Sequence, residues 1–281
     1  MEIFQKIEEV RNYLKKQRSE NKIIGFVPTM GALHEGHISL LNESRRNNDI
    51  TLCSIFVNPI QFNNKEDLNN YPHTPKEDIE KLNEAEVDCL FHPDEKELYP
   101  TKPVNQYDFG NLEQVMEGKF RKGHFNGVAI VVKRLFDIIQ PDNAYFGEKD
   151  YQQLLIVKQL VKDQDLGVNI VPCPIVRELS GLAMSSRNKR LDPQEKIVAP
   201  AIYAVLKKAK ERVGSMTVEE IKAFVGKQLG NFKLIRIEYF EIVDMYTLKS
   251  ISKWEESSHV IACIAAWVGK IRLIDNIILF S

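Results

Sequence analysis

The strongest constraint on the fold is a repeated alternation. Between residues 23 and 171, apolar runs of strand length are separated by amphipathic segments of helix length. The runs at 23–27, 50–57, 87–91, 143–146 and 168–171 are apolar almost throughout rather than alternating in polarity. A strand that is apolar on both faces must be covered on both faces, as in a parallel sheet between two helical layers. The intervening segments supply those layers. Residues 3–17 place Phe4, Ile7, Val10 and Leu14 on one helical face, and residues 38–46, 75–86 and 150–162 read as helices. Val128, Val131, Leu135 and Ile138 form a further helical stripe, and Pro75 suits the first turn of its helix. The pattern predicts an α/β fold.

The pattern changes after residue 176. Residues 193–213 and 218–229 read as helices, and 235–243, 259–268 and 271–280 as strands rich in β-branched residues, with turn chemistry at Gly269-Lys270. Strands joined this closely pair antiparallel, so residues 177–281 are expected to form a smaller α+β domain after a first domain at 1–176. Of the 281 residues, 43% are hydrophobic and 27% charged, which excludes a disordered chain. The formal net charge of −1 disfavours extended nucleic-acid binding, so any positive charge for an anionic ligand must be local. Cys53, Cys89, Cys173 and Cys263 form no CxxC motif and read as buried hydrophobes, which fits a reducing compartment. The N-terminus has no apolar core of a signal peptide, and no run is long enough to span a membrane; a cytoplasmic protein is expected.

Parallel sheets bind ligands beyond the carboxyl ends of their strands. Three segments after predicted strands therefore stand out: 28–37, 58–62 and 146–150. In the first, His34-Glu35-Gly36-His37 begins a helix, whose N-terminus attracts phosphate. Gly31 and Gly36 allow a ligand close to the backbone. The two imidazoles suit charge growing in a transition state, but histidines at a helix cap, or two zinc ligands in need of a third, fit the spacing as well. In the last, Gly147-Glu148-Lys149-Asp150 offers a flexible cation at a strand-to-helix turn, although Glu148 and Asp150 also suit a helix dipole. Met184-Ser185-Ser186-Arg187 carries hydroxyls and a guanidinium fit for phosphate oxygens. Gln61 can meet a substrate bearing carboxylate and hydroxyl groups. The convergence favours an ATP-using enzyme over a structural module.

The segments PTMGALHEGH, FVNPIQF, EDLNNYP, GHFNGV, FGEKDYQQ and GLAMSSRN, in this order, resemble the signatures of the pantothenate synthetases. That resemblance implies a Rossmann-like parallel sheet with helices on both faces, plus a smaller α+β C-terminal domain with antiparallel strands that covers the active site. It also implies a cytoplasmic homodimer that joins pantoate to β-alanine with ATP and Mg²⁺, through a pantoyl-adenylate. Carried over by motif position, Met30, Gly31, Ala32, Leu33, His34, Glu35, Gly36 and His37 would line the ATP site, with His34, His37 and Lys149 catalytic. Gly147, Glu148, Lys149 and Asp150 would meet the nucleotide, Val176 the adenine, and Met184, Ser185, Ser186 and Arg187 would stand in place of a KMSKS-like loop. Gln61 and Gln153 would hold pantoate, and Gln61 also β-alanine. The ligands of Mg²⁺ are left unassigned. Asn63, His73, Lys122 and the Leu179-Ser180 turn depart from the family pattern and put loop conformation in doubt.

Overall fold

The computed structural model describes residues 1–281. It divides into two compact units: Met1–Phe109, Phe120–Glu148 and Gln153–Pro174 form the first, while Gly110–Lys119, Lys149–Gln152 and Ile175–Ser281 form the second.

The first unit is built on six strands: β1 (Glu2–Phe4), β2 (Ile24–Thr29), β3 (Ile50–Ile55), β4 (Cys89–Phe91), β5 (Asn143–Gly147) and β6 (Asn169–Cys173). All pairings are parallel, in the order β1-β4-β3-β2-β5-β6. Neighbouring residues of β2 face opposite layers. Phe26 meets Phe136 of the helix His124–Ile139 edge-on, at 6.2 Å between centroids. Val27 packs with Leu41, Cys53, Leu82 and Leu90 in the other layer. Each such fully buried side chain contributes about 1.5–3 kcal/mol of transfer free energy, while the buried Thr51 hydroxyl of β3 is satisfied by Ser44. From β2 the chain winds outward through β3 and β4, then returns to place β5 on the opposite flank of β2. The topological switch point therefore lies between β2 and β5, where an open α/β sheet leaves a crevice beyond its carboxyl ends.

The second unit contains the antiparallel sheet β7 (Ile235–Asp244), β8 (Val260–Val268) and β9 (Ile271–Phe280), with β8 central. Its core joins Ile242, Ala262 and Ile264 to Leu206, Ile221, Val225 and Leu229 of the helices Ala201–Lys210 and Val218–Gly230. The fold expected from the sequence is thus present: a parallel sheet between helices, and a separate antiparallel sheet.

Two element expectations need correction. Residues 3–17 are not one helix: Glu2–Phe4 pairs with β4 as an edge strand, and the helix runs over Ile7–Ser19. Val10 and Leu14 are buried as its stripe requires, but Phe4 belongs to the sheet. Residues 193–213 form two helices, Pro193–Val198 and Ala201–Lys210, because Pro200 lacks the N–H that would continue the first and instead caps the second.

Candidate active site

In the first unit the segment after β2 turns sharply. Gly31 and Ala32 both have positive φ, at 78° and 50°. The turn is held from one side by the helix Pro75–Glu84. Asp78 accepts the Ala32 amide at Oδ2 (2.9 Å) and the Leu33 amide at Oδ1 (2.7 Å), while Lys81, one turn on, donates to the Leu33 carbonyl at 2.6 Å. A Cβ on Gly31 would lie 3.1 Å from Asp78 Oδ2, on a backbone that already favours glycine. Ala32 and Leu33 are buried, and Leu33 packs in the core.

His34 is the N-cap of the helix Glu35–Asn47. Its Nδ1 accepts the Gly36 amide at 3.1 Å, and His37 Nδ1 accepts the His34 amide at 3.3 Å. The capping reading of this motif is thus present in the fold. A ring nitrogen that accepts from an amide carries no proton, so each neutral imidazole is the Nε2–H tautomer, with Nε2 as its donor. The ring centroids lie 4.0 Å apart. The zinc reading required a third ligand, and no group of three or more His, Cys, Asp or Glu side chains is placed to hold a metal ion.

Gln61 sits in the short turn Pro59–Gln61 after β3 and is buried. Its Nε2 donates to Met30 Sδ at 3.0 Å and its Oε1 accepts from Asn58 Nδ2 at 3.2 Å. Its carbonyl takes the proton of His124 Nδ1 at 2.9 Å, and Arg121 donates to the far nitrogen of that ring. Asn58 is fully buried: Nδ2 also donates to the Gly127 carbonyl, and Oδ1 accepts from the Tyr99 hydroxyl at 3.2 Å. Gly127 permits this contact, because a Cβ there would stand 2.6 Å from the Gln61 Cα. Gly127→Ala is accordingly expected to displace the 59–61 turn and to destabilise the protein by ~1–3 kcal/mol, the usual range for overpacking. Denaturant unfolding checks it, and wild-type stability would show that the turn yields freely.

Gly147 ends β5 and Glu148 follows it in the first unit, where Gln153 lies too, half-buried. Lys149 and Asp150 belong to the second unit, with Lys149 Nζ 3.5 Å from Asp150 Oδ1. There the neighbouring Gln152 is structural: it donates to the Leu112 and Val115 carbonyls and accepts the Glu117 amide. Val176 accepts the Met184 amide through its carbonyl. Met184 precedes an ordered 3₁₀ turn, Ser186–Arg190, capped by Ser185, whose hydroxyl accepts the Arg187 amide. Asn188 anchors the turn by donating to Glu178 and the Ala183 carbonyl.

The cysteines take no part in this chemistry. All four are buried and free; burial pushes Cys53 and Cys263 up to about 12, Cys173 to about 11 and Cys89 well above the usual thiol range, so none is a thiolate at neutral pH. His73, one of the departures noted above, acts on His92, which burial first and His73 second hold below the usual imidazole range.

Sequence reasoning missed Asp78, Lys81 and Tyr99, and singled out Asn58 and His124 only as members of their segments, without the tasks they perform here. Asp78 is one of two acids, with Glu77, in the first turn of its helix. Its signal was a carboxylate four residues before the buried Leu82, on the face turned inward. His124 and Gly127 lay within a recognised motif, but their task is to hold the Gln61 backbone, a contact that no spacing announces.

A family model described as pantoate-beta-alanine ligase matches residues 2–278. The chain is 46% identical over 277 residues to the pantothenate synthetase of Porphyromonas gingivalis, covering 99% of each. It is 48% identical over 278 residues to that of Azobacteroides pseudotrichonymphae, again covering 99% of each. Among solved structures it is similar to pantothenate synthetase from Thermus thermophilus, with a TM-score of 0.94, 40% identity and full coverage of both chains. It is also similar to pantoate-beta-alanine ligase from Francisella tularensis, solved with beta-gamma ATP and beta-alanine, with a TM-score of 0.83 and 36% identity over 99% of this chain and 98% of that one.

Proposed function

The chain belongs to the pantoate-beta-alanine ligase family, and from that premise we propose how its own residues join pantoate to β-alanine at the expense of ATP. The carboxylate of pantoate attacks the α-phosphorus of ATP and expels pyrophosphate. The β-alanine amine then attacks the acyl carbon of the resulting pantoyl-adenylate and expels AMP. The amine must lose a proton to become nucleophilic, and we assign no residue to take it.

The first step brings two anions together, so the main task is electrostatic. The observation that carries this reading is the capping arrangement of His34 and His37 at the switch-point edge of the sheet: the Nδ1 atoms are committed to backbone amides, which leaves Nε2–H as the donor of each ring. Two donors fixed by the fold need no reorganisation as charge grows on the phosphate. The backbone of Met30–His37 and the turns Gly147–Asp150 and Met184–Arg187 are assigned to ATP, with Lys149 on a phosphate and Val176 at the adenine. Gln61 and Gln153 are assigned to pantoate, and Gln61 to β-alanine as well. The thioether that Gln61 meets is a weak acceptor, so its amide keeps donor capacity for a substrate oxygen.

Mg²⁺ is proposed as part of the nucleotide substrate, screening phosphate charge. An ion that arrives on phosphates and keeps several waters does not need a dedicated side-chain cage, which suits a fold offering no such cluster. A homodimer rests on the resemblance alone. A cytoplasmic setting rests on it and on four unpaired cysteines. The division at residue 176, with ATP and pantoate assigned to the first part, is likewise a proposal.

The reading is tested by omitting substrates in turn. Pantoate with ATP is expected to support pyrophosphate exchange without β-alanine, and AMP release in turnover is expected to require both. AMP transfer that ignores the amine would point instead to a different nucleotidyl transfer.

A further inference from the structure

Strand β9 does more than close a sheet. Three of its residues hold segments remote in sequence, all within the second unit. Arg272 is bidentate on Glu117, at 2.6 and 2.9 Å, and also pairs with Glu238, which the bulge between Ile237 and Tyr239 leaves out of register. Asn276 donates from Nδ2 to the Lys149 carbonyl at 3.0 Å. Asp275, buried, takes a bidentate pair from Arg177 at 2.7 and 2.9 Å. The Arg177 guanidinium lies 3.5 Å from the Tyr203 ring centroid and donates to the Gly181 and Asn276 carbonyls. It thereby fixes the base of the 177–183 hairpin turn, whose ends pair as Arg177 with Ala183. The Asn276 amide donates to Asp275 Oδ1, so the two residues are locked to each other as well.

We propose that Asp275 and Asn276 are a positioning pair for adenylate formation, Asn276 setting the backbone of Lys149 and Asp275, through Arg177, setting the turn that leads into Met184–Arg187. The inference rests on the assignment of Lys149 and Met184–Arg187 to ATP. Neither residue needs to touch substrate. Both act by orienting groups whose misplacement by an ångström can cost a large factor in rate.

The test uses the full chain and three variants, Asn276→Ala, Asp275→Asn and Lys149→Ala. Each is assayed for pantoate-dependent ATP–pyrophosphate exchange, thermal unfolding and amide hydrogen exchange. Asn276→Ala is expected to raise the KM for ATP so that kcat/KM for ATP falls ~10-fold, with the pantoate KM little changed and faster exchange at 149–152. Asp275→Asn should act alike, with faster exchange at 177–188. Should it fail to fold, Arg177→Lys, which keeps the charge and loses the bidentate fork, is read in its place. A merely structural pair would lower Tm and scale all rates by the active fraction, leaving both KM values at wild type, and that result overturns the inference. If Lys149→Ala is impaired while Asn276→Ala matches wild type, the positioning role falls and the assignment of Lys149 stands. A fully active Lys149→Ala would sink that assignment and the inference with it.

Discussion

Exchanging His37 for glutamine is expected to slow adenylate formation at least ~100-fold while leaving the fold in place, since one preorganised donor to a developing oxyanion is commonly worth about 10²–10³ in rate. Glutamine is the informative choice. His37 has two tasks: its Nδ1 accepts the His34 amide, closing a capping box, and its Nε2–H is the donor assigned to phosphate. Alanine would remove both and confound them, because loss of a cap costs about 1 kcal/mol by itself. A glutamine at the third helical position makes the same reach back to the N-cap amide. The unfolding midpoint should therefore hold while pyrophosphate exchange falls. Wild-type exchange in this variant would show that His37 only caps.

A second large effect is expected on stability and activity together. Asp78→Ala strands two buried amides, Ala32 and Leu33, at about 1–3 kcal/mol each. It also releases a turn in which Ala32, a residue with a Cβ, is held at positive φ against its preference. The loop is then free to relax, and His34 follows directly after it. Loss of ~2–6 kcal/mol and of at least ~10-fold in pyrophosphate exchange is expected. Asp78→Asn keeps one acceptor oxygen and should fall between the wild type and the alanine variant in both measurements. If Asp78→Ala unfolds with wild-type parameters, the carboxylate does not organise the loop.

These two residues mark what could and could not be read from the chain. The parallel sheet was legible because burial on both faces leaves an unbroken apolar run, and β2, β3 and β4 carry that mark. The His34–His37 motif was legible because it combines a helix start with glycine spacing. Asp78 was not, because a helical acid near an N-terminus is ordinary until the amides it captures are known, and they lie forty-six and forty-five residues earlier. The edge strand β1 was missed because three residues are too few to show a period, so they merged with the helix that follows. Nor did spacing announce that residues 110–119 and 149–152 belong with the C-terminal sheet. Their membership is set by single side chains such as Gln152 and Arg272, and hydrogen bonds between distant residues leave no periodic trace.

The anchoring role of β9 also bears on the order in which the molecule can be completed during synthesis. The six parallel strands are all translated by residue 173, yet the backbone of Lys149 waits on a partner made more than a hundred codons later. Until the ribosome has released Asn276, the Lys149 carbonyl and the Arg177 guanidinium lack their β9 partners, and a nascent chain can own a finished first sheet before β9 fixes either group.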